Sequence, residues 1–287
     1  MNIPKLKKIK STKNYHGIPL EDDYSWVDQP NILEVLKNPE KLDADVRNYI
    51  LSNNKMTEEY FKDVKGLQSK LFEEIKAKIK LDDTSLKYKD KKYYYWKKTE
   101  AKGNYGKRIR QLIDGSKPPE IYFDGDLEKK NYGSEYFGVG SVSTSHCDNY
   151  MAYSLDLQGS EYYTIYLRDI KTNKIISKEI SETSGGITFS LDDKYIFYSK
   201  LDENHRARTI YRHKIGDFDG KDELIFEEKS EAFTVGIGKS SDEKYYFINT
   251  SDHNTSEQYY FKSDELKPSP KLIIKRERGV LYLWIHG

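Results

Sequence analysis

A ten-residue pattern, in which a polar turn precedes a β-rich run, recurs through much of the chain. Residues 190–199 (SLDDKYIFYS) carry it most clearly, because a serine and two aspartates favour a turn and Tyr195–Tyr198 favour a strand. The same frame occurs at 145–154 (SHCDNYMAYS) and 240–249 (SSDEKYYFIN), with a looser copy at 88–97 (YKDKKYYYWK). The three closest copies begin 45 and 50 residues apart. Strand-rich repeats at that period predict the blades of a β-propeller.

An apolar stripe with helical spacing precedes most of the repeats. Its members follow one another at intervals of three or four residues, with Lys and Glu on the other faces. They are Met56, Tyr60, Val64, Leu67, Leu71, Ile75 and Ile79. This spacing predicts one continuous helix on a domain surface, with a free-standing coiled coil as the alternative. Shorter helices are predicted after Pro30 and from about Leu42 to Leu51, and residues 1–25 are predicted to be irregular.

After residue 80 the pattern changes to short strands separated by turns. Residues 91–100 and 105–114 predict a hairpin, and Ile121–Phe123 predicts a third strand. The change divides the chain into an irregular segment with amphipathic helices over 1–80 and an incomplete β-propeller over 81–287.

The number of repeats predicts three to four blades, whereas closed propellers typically use four to eight. A strand-like segment, Val280–Ile285, runs directly into the end of the sequence. The predicted fold is therefore mainly β, with amino-terminal helices and a partial propeller.

Composition limits the class of protein. The 48 basic and 47 acidic residues give a net charge of +1, which argues against a nucleic-acid or membrane partner. The 25 tyrosines supply burial area with a polar tip, which suits half-exposed sheets. A single cysteine, Cys147, excludes an intramolecular disulfide and fits a reducing compartment. Because we find no signal peptide and no apolar run long enough to cross a bilayer, we expect a cytoplasmic protein.

The sequence predicts no catalytic, cofactor-binding or metal-binding residue. Ser145, His146 and Asp148 are the residue types of a hydrolytic triad, but neighbours along one turn cannot form its chain of hydrogen bonds. His205 and His213, two of the six histidines, lack the cysteine or acidic spacing of zinc sites.

Other polar motifs have ordinary structural explanations. Asp82-Asp83 and Asp192-Asp193 occur where a turn or a helix cap needs an acceptor. Gly185-Gly186 and residues 236–238 precede no predicted helix and so predict no phosphate-binding loop. The basic cluster around Arg206 and Arg208 predicts a solvated loop, with the lining of a propeller opening as the alternative.

A series of segments, in a fixed order, covers nearly the whole chain. It comprises His16-Gly17 with residues 23–26, the helical stretches 31–60 and 67–85, the hairpin at 93–111, the stretch DNYMAYSLDLQGSEYYTIYLRDIKT at 148–172, and residues 208–216. Together these segments resemble the amino-terminal part of the prolyl oligopeptidase family of serine peptidases, and most closely its oligopeptidase B branch. The match at 148–172 is the most specific of them.

The resemblance implies a fold and an activity for the intact protein. Members of this family carry an α/β-hydrolase domain after a seven-bladed propeller, which limits substrates to short peptides. The oligopeptidase B branch cleaves after Arg or Lys. The nucleophile elbow G-x-S-x-G occurs nowhere in the 287 residues. We therefore expect the Ser-Asp-His triad, the hydrolase domain and about half of the propeller to be missing from this chain.

Two hypotheses follow. In the first, the chain is the amino-terminal helical and propeller part of an oligopeptidase B-like peptidase, a truncated or split gene product that is inactive alone. Its expected partners are a complementary chain with the hydrolase domain, short peptides in the intact assembly, and further copies of itself, with no cofactor. In the second hypothesis it is a stand-alone propeller-like module that binds a peptide or protein without enzymatic activity.

Overall fold

The computed structural model describes residues 3–286. The chain divides into two compact units, Met1–Asp83 and Thr84–Gly287. The first unit contains three of the four α-helices, and the second is built mainly of antiparallel strands. No helix between residues 3 and 286 is long and apolar enough to span a membrane.

The first unit begins with a hairpin where the sequence predicted an irregular segment. β1 (Thr12–Tyr15) pairs antiparallel with β2 (Ile18–Glu21). The two residues between them, His16 and Gly17, have φ of 52° and 83°. Positive φ at both central residues is what a type I′ hairpin turn requires, and glycine adopts it without strain. This turn explains why the chain reverses at this point.

Helices make up most of the rest of the first unit. They are α1 (Ile32–Lys37), α2 (Ala44–Tyr60) and α3 (Lys65–Ala77), with 3₁₀ turns at Ser25–Val27, Pro39–Lys41 and Lys62–Val64. The carboxylate of Asp43 caps α2 by accepting hydrogen bonds from the backbone N–H groups of Asp45 (2.9 Å) and Val46 (3.2 Å). The two predicted shorter helices are thus confirmed, and the second extends further than expected.

The prediction of one continuous helix through the apolar stripe is wrong. α2 ends at Tyr60, and the 3₁₀ turn Lys62–Val64 separates it from α3. Asp63 and Val64 are weak helix formers, which favours a break at this point. The stripe also remains uncovered in the described chain, since every member from Tyr60 to Ile79 is exposed.

Sixteen antiparallel strands of the second unit form four groups of four, which we number blades 1 to 4 in chain order, and blades 2 and 3 together make one eight-stranded sheet. Blade 1 holds β4 (Tyr88–Asp90), β5 (Tyr93–Thr99), β6 (Lys107–Leu112) and β7 (Glu120–Asp124). Blade 2 holds β8 (Gly138–Thr144), β9 (Tyr150–Asp156), β10 (Tyr163–Asp169) and β11 (Ile180–Thr183). Blade 3 holds β12 (Thr188–Phe189), β13 (Tyr195–Leu201), β14 (Ala207–Lys214) and β15 (Glu223–Glu227). Blade 4 holds β16 (Thr234–Lys239), β17 (Tyr245–Ser251), β18 (Ser256–Lys262) and β19 (Lys271–Ile274).

These strands confirm the predicted mainly β fold, with four blades. A further short strand is β3 (Asp83–Thr84). Each blade is a simple up-and-down sheet in which consecutive strands pair, as the predicted hairpin at 91–114 does through β5 and β6. Blades 2 and 3 are also joined through one pair, Thr183 with Lys200. No α/β-hydrolase domain lies within residues 3–286.

Adjacent blades pack against each other through three apolar clusters. Between blades 1 and 2, the rings of Phe123 and Tyr153 lie 5.5 Å apart. Between blades 3 and 4, Phe197 and Tyr246 lie 5.0 Å apart. The cluster between blades 2 and 3 is mainly aliphatic and includes the fully buried Ile196. Burial at these interfaces supplies most of the apolar core of the second unit.

Two segments of the second unit differ from expectation. An additional helix, α4 (Gly125–Tyr132), follows β7 directly and is capped at its C-terminus by Gly133, whose φ is 64°. Val280–Ile285 forms no strand ladder within the described residues. Isolated hydrogen bonds hold this segment: the Ser256 hydroxyl exchanges two of 2.8 Å with the backbone of Tyr282, and the Ser256 N–H donates to the Val280 carbonyl oxygen at 3.0 Å.

We predict that Ile196→Ala lowers the free energy of unfolding by about 2–5 kcal/mol, because it removes a fully buried side chain between two blades. Leu224→Ala is the matched control. Leu224 is 48% exposed, so its truncation should cost only about 0.5 kcal/mol. Urea unfolding followed by circular dichroism measures both. Equal losses for the two variants would contradict this account of the core.

Candidate functional site

The recurrent ten-residue pattern forms the turn between the first and second strands of blades 2, 3 and 4. In each turn the serine hydroxyl accepts a hydrogen bond from the backbone N–H of the tyrosine five residues later. The distances are 3.0, 2.9 and 3.0 Å for Ser145, Ser190 and Ser240. An acidic residue in the left-handed conformation closes each turn: Asp148, Asp193 and Glu243 have φ of 61°, 55° and 60°.

These acidic residues link each turn to another blade. Asp148 accepts a hydrogen bond of 2.7 Å from the Tyr95 hydroxyl of blade 1. Asp193 accepts from the backbone N–H groups of His146 (2.6 Å) and Cys147 (2.8 Å) in blade 2. Glu243 of blade 4 lies 3.6 Å from Nδ1 of His146. We call the three turns, residues 145–150, 190–195 and 240–245, the turn rim.

The turn rim carries charges of both signs. Burial alone would raise the pKa of the Glu243 carboxyl, but the Lys239 ammonium at 2.8 Å, with His146 and Lys91 nearby, holds that pKa below its usual range. A cleft of about 360 Å³ opens beside it, lined in part by Thr188, Lys239 and Glu243. The rim can therefore contact polar ligands.

The side chains of Ser145, His146 and Asp148 each have a partner of their own. The Ser145 hydroxyl is occupied by the N–H of Tyr150, and Asp148 accepts from Tyr95. His146 faces Glu243 and makes no hydrogen bond to Ser145. These residues therefore stabilise the turn rim.

His205 and His213 occupy separate environments. Nε2 of His205 lies 3.1 Å from the Ser160 carbonyl oxygen, at the opposite end of the blades. His213 is completely buried in β14, and its Nδ1 lies 2.9 Å from the Asp222 carboxylate. Within residues 3–286, no group of three or more His, Cys, Asp and Glu side chains could hold a metal ion.

Asp222 is a partly buried polar residue that sequence reasoning missed. Besides His213, its carboxylate accepts from the Tyr198 hydroxyl (2.6 Å) and the Lys178 ammonium (3.0 Å). Burial alone would raise the pKa of Asp222, but these three hydrogen bonds outweigh burial and lower it. The sequence gives no periodic signal for this cluster, because its members come from two strands of blade 3 and two separate loops.

The other polar residues noted in the sequence, Asp192 and the basic cluster at Arg206 and Arg208, form local hydrogen bonds or ion pairs. Asp192 accepts from the Ser190 hydroxyl (2.7 Å) and from the N–H of Lys194 (3.2 Å), as predicted for a turn residue. Arg208 lies 2.7 Å from the Asp202 carboxylate, which also binds the backbone N–H of Arg206. This loop therefore has its own internal ion pair.

A second polar cluster that the sequence did not reveal surrounds Arg276. Its guanidinium lies 2.6 Å from the Glu228 carboxylate and 2.5 Å from the Glu257 carboxylate, and 4.0 Å from the centre of the Phe233 ring. Burial alone would raise the pKa of both buried carboxyl groups, but the hydrogen bonds from Arg276 and its neighbours hold each pKa below its usual range. One cation thus pairs with two acids, one from blade 4 and one from the segment before it.

We predict that Arg276→Ala lowers the free energy of unfolding by about 3–5 kcal/mol, because it leaves two buried carboxylates without their cation. Arg278→Ala makes the same chemical change two residues away at an exposed position, and should cost about 0.5 kcal/mol or less. Denaturant unfolding at neutral pH compares the two.

We also predict how the stability loss caused by Arg276→Ala depends on pH. Because the folded pKa values of Glu228 and Glu257 are depressed, their contribution to stability is fully present above about 4.3, the ordinary Glu pKa, and is lost as pH falls through the folded values. Without Arg276 the two carboxyls become easier to protonate. The stability difference between Arg276→Ala and the unmodified protein should therefore shrink on acidification. A difference that stays constant down to pH 4 would contradict this role.

The chain matches a family model described as the N-terminal β-propeller domain of prolyl oligopeptidase over residues 4–287. It is 25% identical to Protease 2 of Moraxella lacunata, over 98% of this chain and 40% of that protein. It is 24% identical to dipeptidyl aminopeptidase BI of Pseudoxanthomonas mexicana, over 88% of this chain and 35% of that protein. The chain thus spans two fifths or less of the length of these curated relatives.

The fold is also found in solved structures. Oligopeptidase B from Leishmania major superposes on the whole chain with a TM-score of 0.86 at 23% sequence identity, and the match covers 41% of that protein. Oligopeptidase B from Trypanosoma brucei superposes on 97% of the chain with a TM-score of 0.81 at 21% identity. The arrangement of blades described above is therefore that of the corresponding part of these proteins.

Proposed function

The chain belongs to the prolyl oligopeptidase family, whose N-terminal propeller it carries, and from that premise we propose that it is the propeller part of an oligopeptidase B-like serine peptidase. The intact assembly would hydrolyse short peptides after Arg or Lys in the cytoplasm. The observation that carries this proposal is the match to the family model over residues 4–287, together with the similarity to Protease 2.

In this proposal the propeller admits and orients substrates, and it does not cleave them. The 287 residues contain no G-x-S-x-G nucleophile elbow. In the described part of the chain, the Ser145 and His146 side chains serve the turn rim. The triad would come from sequence outside these residues or from a complementary chain. No specific observation favours the alternative, a stand-alone peptide- or protein-binding module.

We predict that the purified chain does not release a fluorophore from a short peptide that has Arg or Lys before the scissile bond. The physical reason is that no serine in the 287 residues lies in a nucleophile elbow. Protease 2 of Moraxella lacunata, assayed in parallel, tests whether the substrate suits a relative. Turnover by the purified chain that a serine-reactive inhibitor abolishes would overturn the proposed division of roles.

We also predict that the chain self-associates or requires a complementary chain. Leu67, Leu71 and Ile75 in α3 are all exposed, and burying each is worth roughly 1.5–3 kcal/mol. Size-exclusion chromatography with light scattering measures the mass. Replacing these three residues by Gln should shift the chain towards the monomer, whereas replacing the exposed Lys70, Glu73 and Lys76 by Gln should not. A cooperative, monomeric fold of the unmodified chain at micromolar concentration would contradict the prediction.

A further inference from the structure

A cleft of about 290 Å³ lies between blade 1 and the first strand of blade 2. Blade 1 contributes Lys97 and Arg108, which stand opposite each other in the β5–β6 register, and Phe123. Residues 138–140 and Val142 of β8 line the other side, and Tyr105 and Phe137 complete the apolar part. No acidic side chain lines this cleft in the described chain. We call it the blade 1–2 cleft.

The two cations of the blade 1–2 cleft differ from the other three cations of β5 and β6. Lys98 and Lys107 share the carboxylate of Glu100 at 3.0 and 2.8 Å, and Arg110 lies 2.7 Å from Glu120. By contrast, neither Lys97 nor Arg108 forms an ion pair with any residue from 3 to 286. Like charges directly opposite each other destabilise a sheet unless an anion compensates them. The pair therefore has unused capacity to bind an anion.

Gly106 gives Lys97 its position. A Cβ atom at residue 106 would overlap Cε of Lys97, although the φ of Gly106 does not itself demand glycine. The absence of a side chain thus lets the lysine stem lie across β6 beside the cleft. A side chain at residue 106 would therefore displace the flexible stem of Lys97.

The apolar part of the cleft is held in place by hydrogen bonds. The Tyr105 hydroxyl donates to the Phe137 carbonyl oxygen (2.8 Å), and the two rings meet edge to face at 4.9 Å. The Asp126 carboxylate accepts from the backbone N–H groups of Asn104 (3.0 Å) and Tyr105 (3.2 Å), so the approach to β6 is also fixed. Aromatic surface and two cations therefore lie side by side in a preformed space.

We propose that the blade 1–2 cleft binds the carboxylate of a small apolar acid, such as the carboxy-terminal residue of a peptide. Lys97 and Arg108 pair with the carboxylate, and the apolar side chain packs on Tyr105, Phe123 and Phe137. A volume of about 290 Å³ admits one residue-sized group and little more. This binding site goes beyond the peptidase function proposed above and does not depend on it, because every contributing residue belongs to this chain.

The test uses N-acetyl-phenylalanine as the probe and its uncharged C-terminal amide as the matched comparison. Binding to the full chain is followed by NMR, from the backbone amide shifts of Gly138 and Gly140. We expect saturable shifts with the acid, and binding of the amide weaker by about tenfold or more, since the charge-assisted hydrogen bonds are lost. Inorganic phosphate distinguishes a general anion site, and it should bind more weakly than the acid because it has no apolar group.

Three variants separate the two cations from general charge effects. Arg108→Gln and Lys97→Gln should each weaken binding of the acid by about tenfold. Lys98→Gln makes the same charge change at the next position of the strand, where Glu100 holds the lysine, and should leave affinity within about twofold. Gly106→Ala displaces Lys97 and should weaken binding while leaving both charges present. The circular dichroism of each variant establishes that it is folded.

Several results would overturn the proposal. They are the absence of saturable shifts with the acid, equal binding of the amide or of phosphate, and equal weakening by Lys98→Gln and Arg108→Gln. If Arg108→Gln does not fold, Lys97→Gln and Gly106→Ala decide the question alone. None of these outcomes bears on peptide hydrolysis, so the site and the proposed peptidase function fail independently.

Discussion

Each internal blade of this chain has apolar residues on both faces, and covering both faces is the constraint on which the rest of the structure depends. β9 shows this directly: Met151, Tyr153 and Leu155 belong to the cluster shared with blade 1, whereas Ala152 belongs to the cluster shared with blade 3. Side chains alternate across a strand, so a single strand supplies two interfaces. A blade therefore needs neighbours, and stacking of blades is the economical solution.

Tyrosine suits this constraint because it offers a large ring with a polar tip. Tyr246 packs on Phe197 in the interface of blades 3 and 4, and its hydroxyl donates to the Phe189 carbonyl oxygen at 3.3 Å. Tyr95 and Tyr198 likewise donate to Asp148 and Asp222. Burial raises the pKa of these phenols, and the hydrogen bonds to carboxylates raise the pKa of Tyr95 and Tyr198 further, so each remains a donor. Burial of the rings thus stabilises the stacked blades, and the hydrogen bonds of the tyrosine hydroxyls align them.

The hydrogen bonds and ion pairs described for the second unit mainly hold its blades together. The repeat position that is Asp148, Asp193 or Glu243 has the same left-handed backbone in each turn but a different partner on another blade. Arg276 binds acids from two segments. Lys97 and Arg108 stand apart from this scheme because no acid neutralises them within the described chain.

The sequence by itself determined the repeat, the turns and the class of fold. Ser190, Asp192 and Tyr195 act within six residues of one another, so local chemistry was enough to predict their turn. The resemblance of ordered segments was enough to identify the family. Tertiary structure alone decided which blades meet and which polar groups they join. Asp222 accepts hydrogen bonds from residues that lie 9 to 44 positions away in the sequence, and Arg276 binds Glu228, which lies 48 positions away. No sequence period predicts contacts at these separations. The break between α2 and α3 belongs with these, because a periodic stripe reports which residues share a face and not whether the helix that carries them is continuous.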